Sequence, residues 1–476
     1  MLKNNALYRL AFPTTAQLPP KTNGYFGKAV LDSKDSSPPA DDPSIRPFTV
    51  EADQAVLDDL QRRLAEAKIA DSIEGTNFRY GFNSKVLTDI VHYWRHSFNW
   101  KQQQQVLNTF PQYQTEIEGL NVHFVHVRPE KPSGVVLPLL VIHGWPGSVY
   151  EYYKAFPMLT DCNTGGLAFE VIAPSIPGYG FSEAPHKEGF NVIAAARVFV
   201  KLMLRLGFTR FFVHGGDWGS AISRTIAQLY PENVRGVHTT LHMANNEPQG
   251  LDILRFMAAK YLPMVMFRNR DSERVMFNEL EASRSNWYLE SGYMHIQSTK
   301  PDTVGAALTD SPVGLLAYIL EKFSSWTNFN NVYKADGGLG SWPLDDLITN
   351  VMIYWLSNNV TSSLRFYREN LCPGSGALSK YSLSAAKVSA SVPAAYAVVP
   401  NEIFRAPRFV VEMTYDNLVQ YSELPRGGHF AAFEEPELIV SLLKKVALPQ
   451  HTDTFCFVLQ VEDLKKFVRI VVARPK

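Results

Sequence analysis

Residues 211–220 read Phe-Phe-Val-His-Gly-Gly-Asp-Trp-Gly-Ser: an apolar run, then Gly215-x-Asp217-x-Gly219, then a helix expected to begin near Ser220. Glycines two places before and two places after a central polar residue form the layout of a nucleophile elbow. The turn is sharp, and a Cβ at either flanking position is expected to strike neighbouring backbone. Here the central residue is aspartate instead of serine. A carboxylate needs no base to become a nucleophile at neutral pH; it attacks saturated carbon and leaves an ester. Asp217 thus points to substrates with a strained ring or a leaving group on sp³ carbon. A helix-capping aspartate is the plainer reading, and the paired glycines weigh against it.

Other segments hold the groups such a nucleophile needs. His143-Gly-Trp145-Pro-Gly-Ser148 follows an apolar run at 137–142. In an elbow-bearing sheet this loop supplies one backbone N–H of an oxyanion hole, from Trp145, and the residue after the nucleophile, Trp218, supplies the other. His143 itself reads as a structural hydrogen-bonding residue. Of the twelve histidines, His429 stands after glycines just past the last strand pattern. Glu402 follows the strand pattern at 391–399 and is the natural acid to orient it, with Asp416 the weaker alternative. Opening a strained ether also needs a proton donor, and a phenol of pKa about 10 keeps its proton at neutrality. Tyr288, Tyr293, Tyr318, Tyr333, Tyr354 and Tyr367 are candidates among which composition does not choose.

The elements that must position these residues alternate. Strand patterns at 120–127, 137–142, 169–173, 211–213 and 234–239 are separated by helical stretches such as 192–206 and 220–229. This predicts a mostly parallel sheet covered by helices on both faces, an α/β-hydrolase type of fold. The alternation stops over 241–385, a stretch rich in Met, Leu, Trp and Tyr, and resumes at 391–399 and 418–424. A helical insertion there is expected to form a lid over the C-terminal edge of the sheet, where open α/β sheets bind ligands. Upstream, 1–45 reads as an arm or linker, and 46–118 as a helical segment with Val56, Leu57, Leu60 and Leu64 at helical spacing. A second helix is expected behind the Phe82-Asn83-Ser84 cap, carrying Val86, Ile90, Val91 and Trp94. The core is thus expected over 119–240 and 386–439, with a C-terminal helix in 440–476.

Composition narrows the function. Lys plus Arg and Asp plus Glu both number 46 in 476 residues, so no cationic surplus exists to neutralise phosphates. Nucleic acid is not an expected partner. Cys162, Cys372 and Cys456 form neither a CxxC pair nor a zinc-spaced cluster, so neither a disulfide framework nor a metal is indicated. No cofactor motif is found. The Asn359-Val360-Thr361 triplet fits a glycosylation sequon. No run of about 20 apolar residues occurs, and the first residues do not read as a signal peptide.

The sequence resembles the microsomal epoxide hydrolases, a family that includes the insect juvenile-hormone epoxide hydrolases. The likeness spans 44–437. It rests on Tyr80-Gly-Phe-Asn-Ser84, the His143–Ser148 segment, Pro174-Ser-Ile-Pro-Gly-Tyr-Gly-Phe-Ser182 and Gly215-Gly-Asp-Trp-Gly-Ser220. Ser291-Gly-Tyr-Met-His-Ile-Gln297 and Arg426-Gly-Gly-His-Phe430 complete it. The resemblance implies epoxide and water as substrates, Asp217 as nucleophile, and Glu402 with His429 as the water-activating pair. It also implies Tyr293 and Tyr367 as proton donors, and an N-terminal segment at 46–118 that wraps lid and core. Family members sit on the endoplasmic reticulum through an N-terminal hydrophobic anchor; residues 1–20 do not match one, so a soluble location is the competing expectation. In the family Phe-x-x-Phe-Glu-x-Pro-Glu, here 430–437, leads into one final helix. Joining Ile439 to Val461 would restore such a helix and make 440–460 an insertion; alternatively Ser441–Val446 completes it. Both readings expect 449–454 to be exposed.

Three other functions compete. A haloalkane dehalogenase would share the aspartate but hold a halide with Trp-type N–H donors. A binding protein without turnover would be expected to lose a triad member, and none is missing. A serine esterase is disfavoured because Ser220 lies three residues beyond the elbow centre.

Overall fold

The computed structural model describes residues 24–28, 38–130, 134–162, 166–242, 251–268, 270–282, 289–374 and 387–451. Its centre is a nine-stranded sheet ordered β1-β2-β3-β5-β4-β6-β7-β8-β9. The strands are β1 (Arg46–Phe48), β2 (Gln112–Ile117), β3 (Leu120–Val127), β4 (Val135–Ile142), β5 (Leu167–Pro174), β6 (Phe211–Gly215), β7 (Val234–Thr239), β8 (Ala394–Val398) and β9 (Leu418–Glu423). Pairing is antiparallel from β1 to β5 across β2 and β3, and parallel from β5 through β4, β6, β7 and β8 to β9. Every residue of β6 and β8 is buried, as expected of strands covered on both faces. Because β5 and β6 lie on opposite sides of β4, the chain reverses direction there. The loops after β4 and β6 therefore open side by side at the C-terminal edge.

β1 and β2 depart from the wholly helical reading of 46–118. Gln-Tyr-Gln-Thr-Glu-Ile is a strand whose buried positions include Gln112 and Thr115. Gln112 is retained inside because its amide donates to Leu107 O (2.7 Å) and its oxygen meets His123 (2.9 Å). The two expected helices lie nearby. Gln54–Ala65 is capped by Asp53, and Ser84–His96 is capped by Asn83, which accepts from Lys85 and Val86; the second buries Leu87, Ile90, Val91 and Trp94. This segment clasps the helices of 251–371. Arg63 donates to Asp310 Oδ1 (2.7 Å), Tyr93 to Asp345 Oδ1 (3.0 Å) and Asn77 to Tyr333 O (2.7 Å). Within 1–45, Phe26 is buried, and Asp41 accepts the Glu118 and Gly119 N–H groups at 2.8 Å each, closing the β2–β3 turn.

Between β7 and β8 the helices are Leu251–Tyr261, Pro263–Met266, Asp271–Ala282, Gly292–Thr299, Pro301–Asp310, Pro312–Ser325, Leu344–Ser357 and Val360–Leu371. Among the described residues no single helix is long and apolar enough to cross a membrane. Asn359 of the sequon is buried, its amide donating to Gly180 O (2.8 Å) and Ser182 O (2.9 Å), so the folded chain does not present it for glycosylation.

The last described helix, Pro436–His451, favours the reading in which Ser441–Val446 completes the helix over the one in which 440–460 is an insertion. It runs unbroken past Ile439, with Val440, Leu443, Val446 and Ala447 buried and Lys444 Nζ donating to Asp161 O (3.0 Å). Residues 441–446 complete the helix because their apolar side chains fall on its inward face. The expected exposure of 449–454 lies outside the residues whose side chains are described. Leu443→Ala should cost about 2–5 kcal/mol in a denaturant titration. Deleting 440–460 should lower Tm sharply, and an unchanged Tm would restore the insertion reading.

Candidate active site

The elbow shows why its flanking residues are glycine. A Cβ on Gly215 would lie 2.2 Å from Gly219 C, and one on Gly219 would lie 1.9 Å from Ile142 O. Asp217 holds φ at +43°, a left-handed conformation that non-glycine residues seldom adopt. The helix begins at Asp217 itself, three residues earlier than the expected start near Ser220. The N–H groups of a first helical turn lack intrahelical partners, and Trp218 lies in that turn. Ser220 is buried and structural: its Oγ donates to Gly215 O at 2.6 Å.

Asp217 Oδ1 accepts the Trp145 N–H at 2.8 Å. A Cβ at Gly144 would sit 2.3 Å from that same oxygen, so only glycine leaves room for it. The loop bearing Trp145 is fixed by the helix Leu344–Ser357. Asn350 Nδ2 donates to Pro146 O (2.9 Å), Ser148 Oγ to Asn350 Oδ1 (2.9 Å) and the Tyr354 hydroxyl to Gly147 O (2.7 Å). His143 accepts the Ile176 N–H on Nε2 (3.1 Å), which puts its proton on Nδ1, facing Gly144 O (3.0 Å). Burial lowers its pKa to about 4. His143 is a neutral structural residue.

His429 Nε2 stands 3.4 Å from Asp217 Oδ2, and its Nδ1 is 2.6 Å from Glu402 Oε1. Glu402 also accepts the Ile403 N–H at 2.7 Å. Burial pushes the Glu402 carboxyl upward, and the His429 charge opposes that push. Burial alone would depress His429, but Glu402 and Asp217 reverse the effect and hold its pKa well above the ordinary imidazole value. Asp416 is remote from this group: it is half-exposed and faces Lys387 at 3.5 Å.

The structure also sorts the tyrosines. Tyr354 is engaged with Gly147, Tyr318 accepts from Gln297 Nε2 at 3.2 Å, and Tyr333 is 66 % exposed; Tyr288 lies outside the described residues. Tyr293 stacks on Trp145 (centroids 5.3 Å, interplanar 5°), Tyr367 meets the same ring edge-on (5.8 Å), and the two phenol rings are 5.7 Å apart. Burial first, and the Asp217 charge for both, raises each phenol well above its usual value. Residues at 145, 217, 293, 367, 402 and 429 are thus gathered at one sheet edge.

The sequence matches the family described as "Epoxide hydrolase N terminus" over residues 45–152 and the "alpha/beta hydrolase fold" over 138–420. It is 48% identical to "Epoxide hydrolase 1" of Sus scrofa over 413 residues, 85% of this chain and 89% of that protein. The chain belongs to the epoxide hydrolase family. Among solved structures, the juvenile hormone epoxide hydrolase of the silkworm Bombyx mori superposes with a TM-score of 0.81 at 38% identity, covering 90% of this chain and 99% of that one. The Aspergillus niger epoxide hydrolase gives a TM-score of 0.67 at 28% identity, covering 85% and 96%. This epoxide hydrolase family member is thus an enzyme with the α/β-hydrolase fold expected from its strand and helix alternation.

Two carboxyl groups around His429 are not singled out by sequence. Glu151 lies in the 3-10 turn Val149–Tyr152, and Glu434 in the turn Ala431–Glu434. Burial, the largest influence on each, pushes both up to about 8. Glu434 stands in the Phe-x-x-Phe-Glu-x-Pro-Glu motif at 430–437, but neither it nor Glu151 is marked by spacing as a neighbour of His429, which only the fold reveals.

Proposed function

We propose that this enzyme opens an epoxide by attack of Asp217 on ring carbon, and that His429, oriented by Glu402, activates water to hydrolyse the resulting ester to a vicinal diol. The observation that carries this reading is the unequal environment of the two Asp217 oxygens. Oδ1 already accepts the Trp145 N–H, while Oδ2 faces His429. Oδ2 is the attacking atom. Oδ1 becomes the ester carbonyl oxygen and later the oxyanion, held by the Trp145 and Trp218 N–H groups; one such donor is worth about 10²–10³ in rate. Tyr293 and Tyr367 protonate the alkoxide as the ring opens.

The charges set the order of events. In the free enzyme the Asp217 carboxylate helps keep His429 protonated. Esterification removes that negative charge, so the His429 pKa falls and the imidazole becomes a base only once there is an ester to hydrolyse. A single turnover in water enriched in heavy oxygen tests the scheme. The first diol should carry an unlabelled new hydroxyl, because its oxygen comes from Asp217, and the label should appear in the peptide containing residue 217. Label in the first diol would indicate direct attack by water.

Dehalogenation is a second reading with one observation behind it. Among the described residues the buried indole N–H of Trp145 has no hydrogen-bond partner, and such a donor can hold a departing halide. Parallel assays of halide release from haloalkanes and diol formation from styrene oxide separate the two.

A further inference from the structure

Among the described residues Lys322 is the one buried lysine, only 6 % exposed. It lies on the helix Pro312–Ser325, on the inward stripe that also carries Leu315 and Ile319. A charge placed there needs partners, because an isolated buried ammonium is costly. Glu321 supplies one as an ion pair, and Ser325 Oγ donates to that carboxylate at 3.2 Å. The other partners are aromatic rings. Lys322 Nζ stands 4.8 Å from the ring centroid of Tyr293 and 5.5 Å from that of Trp326. Those two rings are 5.1 Å apart, and Tyr293 is also stacked on Trp145, whose backbone N–H holds Asp217. A cation within about 6 Å of a ring centroid is attracted by the negative face of the ring. Among the described residues no cation stands over Tyr367, whose ring instead meets Trp218 edge-on at 4.9 Å. The two phenols are thus unequal.

We propose that Lys322 is a positioning residue for Tyr293: its ammonium, tethered by Glu321 over the ring, stabilises the negative charge the phenol takes on while it protonates the opening epoxide. The inference rests on the assignment of Tyr293 as a proton donor. In that step the phenol O–H bond breaks, its proton joins the alkoxide oxygen, and the bonding pair stays on the phenolate. The phenolate later regains a proton from solvent, matched by the proton that His429 takes from the attacking water. The sum is epoxide plus water giving diol. In the free enzyme burial first, then the Asp217 charge, holds the phenol proton in place, with Glu321 adding to it. Esterification removes the Asp217 charge and leaves that of Lys322, so the cation acts most strongly when the phenolate develops. Glu290, Tyr293 and Tyr318 are the other titratable groups in the field of the Glu321–Lys322 pair.

The test uses Lys322→Met and Lys322→Gln in the full chain, both neutral; the glutamine can still donate to Glu321 and guards against a methionine variant that does not fold. Ester formation and decay are followed separately by rapid mixing with styrene oxide and mass spectrometry of quenched enzyme. Formation should slow by roughly 10–30-fold, decay should stay within about threefold of the wild type, and Lys322→Arg, which keeps the charge, should recover part of the loss. The deciding measurement repeats Lys322→Gln in a Tyr293→Phe background. There the lysine substitution should cost nothing further, because the proton it assists is gone. A loss that multiplies with that of Tyr293→Phe, or formation and decay slowed together, would mean a merely structural role and overturn the proposal. Formation at the wild-type rate in folded Lys322→Gln also overturns it. If Tyr293→Phe alone forms the ester at the wild-type rate, the phenol assignment itself fails, an outcome distinct from the others.

Discussion

His429→Gln should abolish turnover while leaving the enzyme able to react once with its substrate. Glutamine fills nearly the same space but cannot take a proton from water, so the Asp217 ester, once formed, should persist. Steady-state diol formation should fall by about 10³–10⁴-fold, and intact-protein mass spectrometry should show enzyme heavier by one substrate molecule. The trapped mass should map to the peptide containing Asp217. Asp217→Ala should be equally inactive, for the opposite reason, and should show no adduct at all. Loss of a carboxylate that takes part in two strong contacts, the Trp145 N–H at 2.8 Å and His429 at 3.4 Å, also removes a buried counter-charge. Thermal unfolding of that variant should therefore be checked alongside. An adduct surviving in folded Asp217→Ala would move the nucleophile elsewhere.

Much of this site was legible because its chemistry is tied to backbone geometry. The elbow glycines report a collision that the structure locates at Gly219 C and Ile142 O, and their spacing is visible in any sequence. The apolar runs of β4, β5, β6 and β8 could be read because strands covered on both faces have little choice of side chain. β1 and β2 were not legible: the buried Gln112 and Thr115 break the apolar pattern and are tolerated only through hydrogen bonds made by tertiary structure. Composition did not choose among the lid tyrosines for a related reason. Tyr293 and Tyr367 are distinguished from Tyr318 and Tyr354 by what their hydroxyls meet, since the Tyr318 ring also lies against Trp145, and those partners lie far away in sequence. The C-terminal helix was balanced between two readings because 440–447 has adequate helical spacing in either; the burial of Leu443 and Val446 favours the one in which 441–446 completes it.

Removing both lid phenols should affect a different step from removing His429. Tyr293 and Tyr367 lie against the Trp145 ring, whose backbone N–H holds Asp217, and the Asp217 charge acts on both phenols. Burial, reinforced by the Asp217 charge, keeps both protons in place in the free enzyme. In the proposed mechanism the negative charge leaves Asp217 and develops on the epoxide oxygen during ring opening, which is when a phenol proton would be needed. Loss of one charge-assisted hydrogen bond is worth about 1.5–3 kcal/mol, so Tyr293→Phe and Tyr367→Phe should each slow ester formation by roughly 10–150-fold. With both gone the alkoxide would have no donor, and the double variant should lose about 10⁴-fold, more than either alone. Ester decay, measured on whatever adduct forms, should stay near the wild-type rate, because the phenols are not needed to activate water. The pH profile adds a second check: with both pKa values raised, ester formation in the wild type should show no loss near the ordinary phenol value of about 10. A double variant that forms the ester at the wild-type rate would leave ring opening without these phenols and require another donor in the lid.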